Sequence, residues 1–146
     1  MGTPKISLDA SFGYQLRMVQ VEADKTARRM LEPFDITPAR VTALIVVANN
    51  PGCTQTRLGE ELSINRASAM KLVNILEGRG LIRRGEAADP RANALFLTKE
   101  GSDQLKRMLA ALNEAEQNTL RDLTKEERTA MRACLAKMRR SFAADN

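Results

Sequence analysis

Apolar residues recur every three to four positions through most of the chain, which predicts a mainly α-helical protein interrupted once by two short strand-like runs. After a frayed start at residues 1–6, the first stripe runs from about Ser7 or Asp9 to Leu31 through Phe12, Leu16, Val19, Ala23, Ala27 and Met30 or Leu31, and Pro33 stops it. Tyr14, Met18 and Val21 lie off that stripe, so this helix has more to bury than one small core requires, and a second subunit is the natural outlet. Thr37-Pro38 is an N-cap with proline at the first helical position, opening a helix through Val41, Leu44, Ile45, Val46, Val47 and Ala48 that ends at Asn49-Asn50-Pro51-Gly52. Its uniformly apolar centre marks it as the buried spine.

Thr54 caps a short third helix, QTRLGEEL, with Leu58 and Leu62 inward, and Ser63-Ile64-Asn65 turns directly into a fourth. Asn65 is the N-cap of that fourth helix. Ala69, Leu72, Val73 and Leu76 form its apolar face, and Gly80 ends it. The opposite face carries Arg66, Ala67, Ser68, Met70, Lys71 and Asn74, which are cationic, hydrogen-bonding or small. Helix, three-residue turn, helix is the helix-turn-helix arrangement, in which the second helix reads a DNA groove and the first braces it. Leu81-Ile82-Arg83-Arg84 and Ala94-Leu95-Phe96-Leu97 then read as a hairpin whose tip holds Gly85, Asp89, Pro90 and Asn93. Thr98 caps a long helix through Leu105, Met108, Leu109, Leu112 and Ala115 or Glu116 to about Leu120. Thr124-Lys125-Glu126-Glu127 is a capping box opening the last helix, whose stripe is Ala130 or Met131, Cys134, Leu135, Met138 and Phe142.

Charge sharpens this picture. The 146 residues hold 23 Lys plus Arg against 18 Asp plus Glu, a net charge of +5. From Arg66 to Arg84 five cations (Arg66, Lys71, Arg79, Arg83, Arg84) face one anion, Glu77, so the excess is concentrated where the reading helix meets the hairpin. A polyanion is the expected partner. Thr54, Asn65, Arg66, Ala67, Ser68, Met70, Lys71, Asn74, Arg83 and Arg84 are the candidate DNA-binding residues. Histidine is absent and Cys53 and Cys134 form no C-x-x-C pair, which argues against zinc and histidine-based acid–base catalysis, and no cofactor is expected. No apolar run reaches eighteen residues and the N-terminus lacks a basic region followed by a hydrophobic stretch, so a cytoplasmic protein, neither spanning nor secreted, is expected.

The order helix, Gly80-Leu81-Ile82, Arg83-Arg84, acidic loop, Asp89-x-Arg91-Ala92, Leu97-Thr98 and Gly101 resembles the winged helix-turn-helix of the MarR family of bacterial transcriptional regulators. The most specific element is DPRANALFLT. The resemblance implies that Arg91 reaches into the minor groove and that Asp89 orients it. Family members commonly carry a second basic residue where this chain has Pro90, and often alanine at Gly59. The implied organisation is a single chain, 1–146, with a winged helix-turn-helix lobe at 37–100 and dimerisation helices at 7–32 and 101–143. A twofold homodimer would set two reading helices into successive major grooves of a near-palindromic duplex.

The resemblance further implies repression relieved by a small anionic or aromatic effector, such as an aromatic acid or its coenzyme A ester. Tyr14, Arg17, Met18 and Arg28 on the first helix, with Phe34, Arg40 and Leu44 near the second, are the candidate ligand-binding residues. One alternative is redox sensing through Cys53, whose position in a loop at a helix start favours a thiolate, while Cys134 sits in an apolar stripe and is expected to be inert. Another is a winged helix that binds protein rather than DNA. An enzyme would need a nucleophile with its base, paired carboxylates or metal ligands, and no such constellation is visible.

Overall fold

The computed structural model describes residues 7–85 and 94–144. Over these residues the chain forms α1 (Phe12–Leu31), α2 (Pro38–Asn49), α3 (Gln55–Glu61), α4 (Arg66–Gly78), β1 (Ile82–Arg84), β2 (Leu95–Leu97), α5 (Lys99–Thr119) and α6 (Lys125–Ala144). The mainly helical fold with one small antiparallel hairpin is the one expected. The caps that set these boundaries are the residues singled out from sequence. Side-chain oxygens of Thr37, Thr54, Asn65 and Thr98 accept from the backbone N–H three residues on, at 3.4, 3.1, 2.8 and 2.9 Å. Thr124 and Glu127 close the reciprocal capping box, with Thr124 N–H donating to Glu127 Oε2 at 2.8 Å and Glu127 N–H to Thr124 Oγ1 at 3.2 Å.

One boundary departs from expectation. A continuous first helix from Ser7 or Asp9 is not what forms: Leu8–Ala10 is a 3-10 turn, and extended Ser11 caps α1 by accepting from Tyr14 N–H. A serine hydroxyl satisfies a free helix N–H better than it serves in a helix interior, which moves the start to Phe12. At the other end Pro33 lies within a 3-10 turn, Glu32–Phe34, which Asp35 closes in the left-handed conformation at φ 49°.

The core gathers Leu31, Ile36, Val41, Leu44, Val47, Leu58, Val73, Leu76, Leu81, Ile82, Leu95, Leu105 and Met108, with α2 at its centre as the apolar spine. Helix α5 runs along α1. Arg128 anchors α6 to the end of α5 by donating to the carbonyls of Leu120 (2.7 Å) and Leu123 (3.2 Å) and to Gln117 Oε1 (2.6 Å). Both carbonyls lie in the connection between α5 and α6, beyond the last residue of α5. Beyond that anchor the apolar stripe of α6 stays open: Leu135 is 39% exposed and faces a groove of about 630 Å³ shared with Phe12, Leu16, Val19, Leu120 and Met138. Leu109, expected inside on the α5 stripe, is instead exposed. Among the described residues no helix is long and apolar enough to cross a membrane.

Candidate nucleic-acid interface

Helix α4 divides as its sequence predicts. Ala69, Val73 and Leu76 are buried, while Arg66, Ala67, Ser68, Met70, Lys71 and Asn74 are exposed along the other side. Arg66 and Lys71 form no hydrogen bond or ion pair with a described residue, so their charges face solvent. Asn65 and Thr54 spend their side-chain oxygens on caps, which leaves them at the edge of this face rather than on it. The turn between α3 and α4 passes through Ser63 at φ 52°, and Gly59 allows the two helices to cross closely: a Cβ there would lie 3.3 Å from both Ala69 Cβ and Ile64 O. The glycine therefore permits the crossing that an alanine would crowd.

The wing stem is held from three sides. In the β1–β2 register Arg83 opposes Phe96, and its guanidinium lies over the Phe96 ring at 4.7 Å. The ring fits between two glycines: a Cβ on Gly52 (φ 83°) would lie 3.4 Å from it, and one on Gly85 only 2.4 Å. A third segment joins the hairpin, because Leu95 accepts from Gly52 N–H at 2.8 Å and donates to Cys53 O at 2.9 Å. Nothing in the sequence announced it, since one bridge residue leaves no alternating pattern. The Leu97-Thr98-x-x-Gly101 run has a structural cause. Thr98 Oγ1 donates to Gly80 O at 2.5 Å while accepting from Gly101 N–H, and α5 then lies directly against the Leu81 carbonyl. Asp89, Pro90, Arg91, Ala92 and Asn93 lie outside the described residues.

Two of the five clustered cations are not free. Arg79 donates to the backbone carbonyls of Asp35 and of Phe34, the latter at 2.7 Å, tying the end of α4 to the α1–α2 connection. Arg84 pairs with Glu77 and donates to Asn74 Oδ1 at 2.9 Å, bracing the wing against α4. Arg66, Lys71 and Arg83 remain turned outward. Charge counting along the sequence could not separate these roles, because Arg79 grips backbone oxygens that carry no sequence signature.

The cysteines differ from expectation. Cys53 is half-buried and bridged to Leu95, and desolvation pushes its thiol pKa up, outweighing the lowering effect of the Arg57 charge. A loop thiolate is therefore not what the fold provides. Cys134 is exposed on α6 rather than enclosed. Among the described residues no group of His, Cys, Asp and Glu is arranged to hold a metal ion.

The candidate ligand residues do not converge on one cavity. Arg28 and Arg40 meet in a groove of about 360 Å³ with Arg29, Glu32, Asp35 and Thr37, although Arg28 also pairs with Asp24 at 2.6 Å. Met18 lines a separate groove of about 720 Å³ between α1 and the end of α5, to which Arg29 also contributes. Arg29 was missed in the sequence reading, and the Arg28-Arg29 pair near the end of α1 was the available signal. Tyr14 and Phe34 are half-buried and Arg17 exposed, outside both grooves, with the Phe34 ring beneath Arg107 at 5.4 Å. Leu44 is a correction: it is fully buried in the core, on the inward side of α2, and lines neither groove.

The sequence profile of the MarR family matches residues 34–92, a span that contains α2, α3, α4 and β1. A Thauera aromatica protein named as a candidate transcriptional regulator of the hcr operon is 32% identical over 136 residues, covering 92% of this chain and 82% of that protein. Transcriptional regulator HosA of Escherichia coli O127:H6 is 30% identical over 126 residues, covering 86% of this chain and 92% of HosA. Among solved structures, the transcriptional repressor CouR bound to a 23-mer DNA duplex superimposes with a TM-score of 0.85 at 28% identity, over 94% of this chain and 99% of that one. The same repressor bound to p-coumaroyl-CoA gives a TM-score of 0.83 at 27% identity, over 95% of this chain and 99% of that one. With its capped reading helix, braced wing stem and full-length similarity, the chain belongs to the MarR family of transcriptional regulators.

Proposed function

We propose that this regulator is a repressor that binds a near-palindromic duplex as a homodimer, acting by binding rather than by catalysis. The observation that carries this reading is the outward set of Arg66 and Lys71 on α4, unpaired among the described residues, beside Arg83 on the wing stem, whereas Arg79 and Arg84 of the same cluster are held internally. In this reading Ala67, Ser68 and Met70 meet base edges between those cations, Thr54 and Asn65 approach the backbone through their helix starts, and Arg91 with Asp89 extends the wing into the minor groove. The open apolar groove along α1 and α6 is the subunit interface, because apolar surface of that extent gains most from burial against its own twofold copy.

The effector in this reading is a small aromatic acid or its acyl-CoA, since the arginines of the two grooves beside α1 suit carboxylate or phosphate oxygens. The p-coumaroyl-CoA complex of CouR supports that class. Such a ligand acts only to the extent that it prefers the dimer shape whose reading helices are wrongly spaced. The test is selection of random duplexes on the purified protein at two salt concentrations, followed by a screen of aromatic acids and their CoA thioesters for release. Enrichment of a palindrome and its release by a member of that class are expected. Failure to enrich any duplex at low salt would overturn the DNA reading, and release by none of the acids or thioesters would overturn the effector class.

A further inference from the structure

Met70 on α4 is a large apolar side chain left 51% exposed beside the free cations of the reading helix. Among the described residues, the other large apolar side chains that stand exposed belong to the Leu8–Ala10 turn and to α1, α5 and α6, outside the reading helix and the wing stem. Met70 sits in a row along one side of α4 with Arg66, Asn74 and Glu77, which lie at the spacing of helix neighbours. The row begins at the helix start with Arg66, unpaired among the described residues, and ends where Arg84 of the wing stem is tied to Asn74 and Glu77. A duplex that meets both the start of α4 and the wing stem therefore passes over Met70. The N-terminal residues of a reading helix are the ones that reach base edges, and Met70 belongs to the second turn of α4.

Chemistry limits what this side chain can meet there. A thioether has no donor and is a weak acceptor, so it leaves the N7 and O6 of guanine, the N4 amino group of cytosine and the N7 and N6 of adenine without a good partner. Laid against any of these, it would remove water from polar atoms and return little in exchange. Thymine differs, because its C5-methyl group is the apolar feature of the major-groove edge. The unbranched, polarisable methionine side chain adapts readily to such a group. We infer that Met70 is a specificity-determining residue that selects thymine at one position of each half-site through that methyl group. This rests on the operator-binding reading given above and adds to it the base that is read.

The experiment compares duplex selection on the wild type and Met70→Ala, then titrates both proteins with the enriched operator and with the same operator carrying deoxyuridine at the position that Met70→Ala relaxes. Deoxyuridine keeps the O4 acceptor and the base pairing of thymine and lacks only the methyl group. Met70 lies outside the buried core and alanine favours a helix, so the variant keeps its fold. The expected result is that Met70→Ala relaxes one thymine per half-site, and that deoxyuridine there weakens the wild type by about fourfold, the scale of one methyl group withdrawn from water, while leaving Met70→Ala unchanged. The inference is overturned if the relaxed position is not thymine in the wild type, if no position relaxes, or if the wild type binds deoxyuridine as tightly as thymine. It is equally overturned if Met70→Ala weakens all sequences alike, as a contact with the sugar-phosphate backbone would. A wild type that enriches no palindrome overturns the operator reading itself, whereas an enriched palindrome indifferent to Met70 overturns only this inference.

Discussion

Gly101 lies so close to Leu81 that a Cβ built on it would stand 1.9 Å from the Leu81 carbonyl oxygen. The first turn of α5 thus rests on the backbone between α4 and β1, and no side chain can be inserted there without moving one of them. Gly101→Ala is expected to cost about 3 kcal/mol, the upper part of the range for overpacking a rigid contact. Chemical denaturation measures it. An unchanged midpoint would show that α5 can slide outward freely.

Lys71 and Arg79 both belong to the basic cluster, but only Lys71 faces outward. Lys71→Ala is expected to reduce the slope of log affinity against log salt by about one, with no loss of stability. Arg79→Met is expected to lower stability by about 2 kcal/mol, the scale of charged hydrogen bonds to backbone carbonyls, and to weaken binding without changing that slope. Titrations at three salt concentrations separate the two.

Leu135 stands on the open stripe of α6 and lines the apolar groove with Phe12 and Leu16. Leu135→Glu would bury a carboxylate in the proposed interface and is expected to shift the protein from dimer to monomer at micromolar concentration while leaving the helix content unchanged. Sedimentation velocity beside circular dichroism tests this. A dimer of undiminished strength would place the interface elsewhere.

Cys53 reacts through its thiolate, and burial beside the wing stem raises its pKa. At any given pH it therefore holds less thiolate than a cysteine in an unfolded chain, and its labelling curve is displaced to higher pH. In a Cys134→Ser background, the rate of alkylation by iodoacetamide is expected to reach half-maximum at higher pH than for a model thiol, and peroxide at neutral pH is expected to leave DNA binding unchanged. Rapid oxidation of Cys53 with release of DNA would restore the redox reading.

Local chemistry was legible in the sequence wherever the cause is local. Thr37, Thr54, Asn65, Thr98 and the Thr124–Glu127 box cap the helices they announce, and the spacing of Ala69, Val73 and Leu76 by four and then three residues identified the buried side of α4. What remained hidden depends on approach through space. The strand contact of Cys53 and the carbonyl grip of Arg79 arise from how distant segments pack, and each of these residues taken alone reads equally well as something else. Charge clustering pointed to the candidate interface but overstated its outward charge, because a cation count does not distinguish an arginine facing solvent from one holding the scaffold together.

Several of the ties that hold this chain together end on backbone oxygens: Arg79 on Phe34 and Asp35, Thr98 on Gly80, and Arg128 on Leu120 and Leu123. A carbonyl is the same in every residue, so such a tie can be lost by substitution on the donor side only. The side chain of Phe34 can change during evolution while its main chain still holds Arg79. Divergence toward new effectors or new operators can therefore proceed beside the structural joints of the chain without first having to rebuild them.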